Sequence, residues 1–146
     1  MNDTLAKLFK LRDTVSIPPE NIGRIGTLPE LMKLSDLVDR CNLLLNSRAA
    51  YAGDPDRLVS RIAILGGAGG GDIEYAQDAG AEAYITGEAK HNQILEARER
   101  DLPLILCGHY ETECVVLKSL LDRLQILAPD VQYNITLREK APLLFS

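Results

Sequence analysis

Three continuous apolar runs, RIAILGG (61–67), AEAYIT (81–86) and LPLILCG (102–108), each stop at or beside a glycine and each lead into a segment with helical periodicity. A strand that shows one face to water alternates apolar and polar residues, so runs without alternation must be covered on both faces. The segments between and after them, IEYAQDAG, GEAKHNQILEARERD and ETECVVLKSLLDRLQ, have the length and pattern of crossover helices, and VQYNITL (131–137) reads as a last strand. The expected fold class is α/β, a mostly parallel sheet flanked by helices.

The residues before this core read differently. Leu5, Leu8, Phe9 and Leu11 recur at helical spacing, with Asn2 or Asp3 as the cap. Val15 to Ile17, PPE and IGRIGTLPE follow as strand, turn and second short strand around Gly23 and Gly26, an N-terminal hairpin. Ser35 then caps LSDLVDRCNLLLN, whose Leu37, Val38, Cys41, Leu44 and Leu45 form one helical stripe. The chain is expected to form a single domain over 1–146, with helix and hairpin in 1–33 and a helix followed by βα units in 34–146.

Composition narrows the function. The net charge is −5 and no basic run occurs, which argues against a nucleic-acid surface and against anionic membranes. No apolar stretch approaches the roughly 20 residues of a membrane span, and the first eleven residues lack a signal-peptide pattern. Cys41, Cys107 and Cys114 lack CxxC spacing and read as reduced thiols, small core residues before metal ligands. A cytoplasmic location is expected.

In parallel sheets ligands gather where strands run out into helices. Three such loops, GGAGGGD (66–72), TGEAKH (86–91) and GHYETE (108–113), hold both histidines. The glycine loop is either an anion site or a tight turn that permits close backbone approach. Glu88 and His91 lie three apart at a helix start, as ligands or as a solvated first turn. His109 and Glu113 lie four apart where strand passes to helix, a pairing of imidazole and carboxylate that suits a divalent ion such as Zn, Mn, Fe or Mg. Two ligands do not make a tight site, and Glu88 or His91 are the local suppliers of more. The alternative is that Glu111 and Glu113 complement the helix dipole while His109 bonds backbone.

The blocks IGRIG, RIAILGGAGG, AEAYITGEAKHNQILEA and GHYETE resemble, in order and spacing, those of the type 2 GTP cyclohydrolase I-like proteins, also called Ngg-interacting-factor-three-like or dinuclear metal centre proteins. The resemblance spans about Asn2 to Leu124. It implies a two-metal site on each subunit and assembly into dimers and toroidal hexamers. The family's HxxxE ligands carry over to His109 and Glu113, and Glu88 and His91 look like residues lining the same cavity, with His91 the candidate further ligand. Glu88 and Glu111 are then the candidate proton-handling carboxylates beside a metal-activated water, with a nucleotide such as GTP as substrate.

The family's remaining ligands, two adjacent histidines and an aspartate, lie in an N-terminal half, so this chain looks like the carboxyl-terminal part of a family member. That implies completion by a separately encoded N-terminal half or by a homo-oligomer partner. The other expectation is a non-catalytic interaction or assembly module.

Overall fold

The computed structural model describes residues 1–136 and 138–142. Its elements follow in the order α1 (Asn2–Leu8), β1 (Arg12–Ser16), β2 (Arg24–Lys33), α2 (Leu34–Leu45), β3 (Ala50–Ala52), β4 (Leu58–Leu65), a 3-10 turn (Gly69–Asp72), α3 (Ile73–Asp78), β5 (Ala83–Thr86), α4 (His91–Glu99), β6 (Leu104–Leu106), α5 (His109–Cys114) and α6 (Val116–Leu127). The strands form one six-stranded sheet in the order β1-β2-β4-β5-β6-β3.

Parallel pairing is confined to β4, β5 and β6, the three apolar runs. The hairpin joins them antiparallel through β2 on β4, and β3 closes the other edge antiparallel to β6. Period-two alternation divides the core. Ile62, Ile64, Ala83, Ile85 and Ile105 face one side, under α1 and α2 with Leu5, Phe9, Leu34 and Leu37. Ala63, Leu65, Tyr84 and Leu104 face the other, under α3 and α4 with Ile73, Ala76 and Ala97. Both faces are covered, so the runs carry no polar alternation.

Several local readings change. Ser35 does not cap α2: Lys33 is the N-cap, and the first amides are met by backbone, Leu34 N–H donating to Arg57 O at 2.9 Å and Ser35 N–H to Pro55 O at 3.0 Å. Those two amides need no side-chain cap. Neither Asn2 nor Asp3 caps α1; Asn2 is its first residue, and its Oδ1 accepts the Gly66 N–H at 3.1 Å, tying the helix to the first glycine loop. The second hairpin strand is longer than expected, with a register break between Thr27 and Met32. Pro29 lies in that break and has no N–H for the ladder.

The expected last strand over 131–137 does not form in residues 131–136, which lie outside helix and strand; Leu137 lies outside the described residues. The edge of β6 is already taken by β3. Among the described residues, no helix is long and apolar enough to cross a membrane.

Candidate functional site

The carboxyl ends of β4, β5 and β6 deliver the three glycine-bearing loops to one place, where their backbones are bonded to one another. Gly67 takes φ +74°, and its carbonyl accepts the Glu88 N–H at 3.0 Å and the Thr86 hydroxyl at 3.2 Å. The Gly69 N–H donates to Thr86 Oγ1 at 3.0 Å, and the Tyr84 hydroxyl to Gly69 O at 2.8 Å. Burial raises the Tyr84 phenol far above its ordinary range, which keeps it a donor. Gly108 N–H donates to Gly87 O at 2.9 Å, and Gly67 N–H to Thr112 Oγ1 at 2.9 Å. The Gly67 and Gly69 amides are therefore used within the protein, and this part of GGAGGGD is a tight turn with close approach rather than an open anion cradle.

Against that turn stands α5. His109 is its first residue, preceded by Gly108 at φ +92°, so the histidine sits inside a helix and not on the strand end. His109 and Glu113, one turn apart, share a face. Nε2 lies 3.2 Å from Glu113 Oε1, and Nδ1 lies 3.1 Å from Glu88 Oε1, which arrives from the β5 loop. The turn is close beneath: a Cβ on Gly67 would fall 2.6 Å from Glu113 Oε1 and 3.3 Å from His109 Nε2. The hydrogen bond that Nδ1–H donates to Glu88 is the largest cause of an imidazole pKa above its ordinary value; burial opposes it, and the charges of Glu113 and Glu88 add to it.

The arrangement has a definite chemistry. If Glu88 takes the Nδ1 proton of a neutral ring, the Nε2 lone pair faces the Glu113 carboxylate at 3.2 Å, and two lone-pair donors so close require a cation between them. That cation is a proton or a metal ion. Donors about 2.0 to 2.2 Å from a shared ion, at tetrahedral or right angles, stand roughly 2.8 to 3.6 Å apart. The pair fits two positions of a metal site, with Glu88 as the outer carboxylate that fixes the ring. The fit ends at two donors: among the described residues, no group of three or more His, Cys, Asp or Glu side chains is placed to hold an ion.

The other candidates lie around this pair. His91 is the exposed first residue of α4, while the ion pairs of His109 among the described residues run to Glu88 and Glu113. Glu88 thus holds the position beside His109 that His91 was expected to share. Glu111 lines a cavity of about 280 Å³ together with Arg48, Glu88, His109 and Tyr110. Cys107 is buried, and its thiol contact with Cys41, together with burial, pushes the Cys41 thiol well up; Cys114 Sγ donates to Glu111 O at 3.7 Å. The reading from spacing passed over Thr112 and Thr86, both fully buried and both bonded to the glycine turn. The available signal was a lone Thr between two acids in GHYETE, three residues after the histidine and so on its side of the helix.

Comparison with known proteins agrees with this architecture. A Nostoc protein described as a GTP cyclohydrolase 1 type 2 homolog is 35% identical over 136 residues, covering 86% of this chain and 50% of its own length. A Staphylococcus aureus hypothetical protein of known structure superposes with a TM-score of 0.87 at 21% identity, over 99% of this chain and 63% of that one, which shows the shared fold. A Thermus thermophilus structure matches with a TM-score of 0.69 at 27% identity, over 86% and 49%. The chain spans about half the length of such curated relatives. The family model of Duf34/NIF3 (NGG1p interacting factor 3) matches residues 1–142, and the chain belongs to that family.

Proposed function

We propose that this chain supplies one wall of a divalent-metal site, with His109 Nε2 and Glu113 as donors and Glu88 holding the imidazole. The observation that carries the reading is the placement of His109 between two carboxylates at 3.1 and 3.2 Å on the floor of the glycine turn. A bound ion of the Zn, Mn, Fe or Mg type would supply Lewis-acid activation of water. In this reading Glu88 keeps the ring in one tautomer, and Glu111, which lines the same cavity, exchanges a proton with a bound molecule. Further donors are required; the family's N-terminal half or a second copy can bring them.

The description of the relatives as GTP cyclohydrolase 1 type 2 homologs supports a nucleotide as substrate and hydrolysis as reaction class. A cavity of about 280 Å³ is near the lower end for small-molecule sites and matches a base or sugar rather than a whole nucleotide. Three free thiols support a reducing, cytoplasmic setting.

A second reading, an assembly module, rests on α6. No residue of that amphipathic helix is buried, and Leu120, Ile126 and Leu127 are exposed. A homo-oligomer or a partner chain would cover them.

Zinc and manganese titration of the metal-free chain, beside Glu113→Gln, tests the first reading. Binding that weakens about tenfold or more in Glu113→Gln supports it, and equal affinity in the two proteins overturns it. Size measurement by light scattering decides the second: a monomer that also captures no N-terminal half of a longer relative would sink it.

A further inference from the structure

Thr112 has no exposed surface, and its hydroxyl makes more bonds than its place in an acid-rich helix turn requires. Oγ1 accepts the Gly67 N–H at 2.9 Å and shares its own hydrogen between Gly108 O at 2.9 Å and His109 O at 3.0 Å. One hydroxyl thus joins the turn after β4 to the first residues of α5. Gly67 is held on its other side as well, where its carbonyl takes the Thr86 hydroxyl and the Glu88 N–H. The turn is fixed between two buried threonines, and its backbone is the surface on which Glu113 and His109 rest. The spacing leaves no slack: a Cβ on Gly87 would lie 2.6 Å from Gly67 O and 2.7 Å from Thr112 Oγ1.

We infer that Thr112 is a positioning residue, whose hydroxyl clasps the Gly67 turn to α5 and so sets the separation of His109 Nε2 and Glu113. The inference rests on the metal-site reading above. Its physical content is geometric: donors must be held to within about 0.5 Å of their working positions, and helix α5 is only six residues long, from His109 to Cys114, with no side-chain cap at its start. Thr112 reaches no substrate position. It acts through the backbone of the two residues that precede and include His109.

Thr112→Val keeps the shape, removes the hydroxyl and leaves the buried Gly67 N–H without its partner. Thr112→Ser keeps the bond. Val59→Ala, in the core at the far end of β4, is the control for lost stability alone. Each protein is measured for thermal midpoint, for zinc affinity against a competing chelator, and, metal-free, for Gly67 amide exchange and His109 imidazole ¹⁵N shifts.

The expected result is zinc affinity about tenfold weaker in Thr112→Val, faster Gly67 exchange and moved imidazole shifts, with Thr112→Ser close to the parent and Val59→Ala altered only in midpoint. A Thr112→Val protein that binds zinc as the parent does overturns the inference, as does an equal loss in Val59→Ala. If the parent binds no zinc, the metal reading falls by itself. The clasp is then judged on the metal-free protein, where unmoved Gly67 exchange and unmoved imidazole shifts in Thr112→Val overturn it.

Discussion

Both histidines of the chain open a helix that follows a strand of the parallel core, yet they end in different surroundings. His109 begins α5 three residues after β6 ends at Leu106, and Gly108 at φ +92° swings it over the glycine turn. His91 begins α4 five residues after β5 ends at Thr86. The longer loop turns Glu88 toward α5, where it meets His109, and has moved on by the time His91 starts its helix. The same residue type at the same kind of junction thus ends in different surroundings, with two loop residues before His109 and four before His91. Of these two junctions, the longer loop is the one whose carboxylate meets His109.

The largest expected effect tests that contrast directly. His109→Ala removes the proposed central donor and should weaken zinc or manganese binding by about tenfold to 100-fold, whereas His91→Ala should leave affinity within about twofold. Isothermal titration of the two variants decides it. A loss at His91 comparable to that at His109 would mean that both loops supply donors and that the contrast is false.

A smaller effect separates packing from conformation in the loops. Gly87→Ala places a Cβ against Gly67 O, Thr112 Oγ1 and, at 2.9 Å, His109 Cα, mostly backbone that cannot yield. It should cost about 1 to 3 kcal/mol. Gly71→Ala meets only Gln93 Nε2, at 3.9 Å, and should cost a few tenths at most. Urea unfolding of both proteins measures the difference, and equal midpoints would show that the loops are not packed as tightly as their contacts require.

How far this was legible in the chain follows from the range of each cause. The strands β4, β5 and β6 announce themselves because burial on both faces writes a local run of apolar residues. The His109 and Glu113 pair is legible because helical spacing is local. Glu88 was legible as a neighbour, but its preference over His91 depends on how a loop of the β5 junction lies on α5, which no spacing rule contains. The three residues of β3 are too few for a periodic signal, and they exist as a strand because β6 offers an edge. That occupied edge also disposes of the apolar pattern in 131–136, where Val131 and Ile135 stay exposed. Ser35 lost its capping role to carbonyls of Arg57 and Pro55, more than 19 positions away. The site's shape is similarly long-range: Thr112 and Gly67 are 45 residues apart.

The smallest expected effect concerns protons. In the metal-free protein the hydrogen bond to Glu88, then the charge of Glu113, favour the imidazolium form of His109, so its titration midpoint should lie above 6.5. Glu88→Gln should lower that midpoint more than Glu113→Gln, because the Glu88 bond is the larger cause. A folded-state value above the unfolded one means that protonation favours the fold. The contribution to stability is complete below about pH 6.5 and is lost as pH rises through the raised folded value. The side chain is 45% exposed, so solvent screening keeps this contribution small. An NMR titration of the two histidines, identified by the His91→Ala spectrum, measures it. A parent midpoint at or below 6.5, or a larger fall in Glu113→Gln than in Glu88→Gln, would remove Glu88 from its position as the residue that orients His109, and with it the advantage of the β5 loop's carboxylate over its histidine.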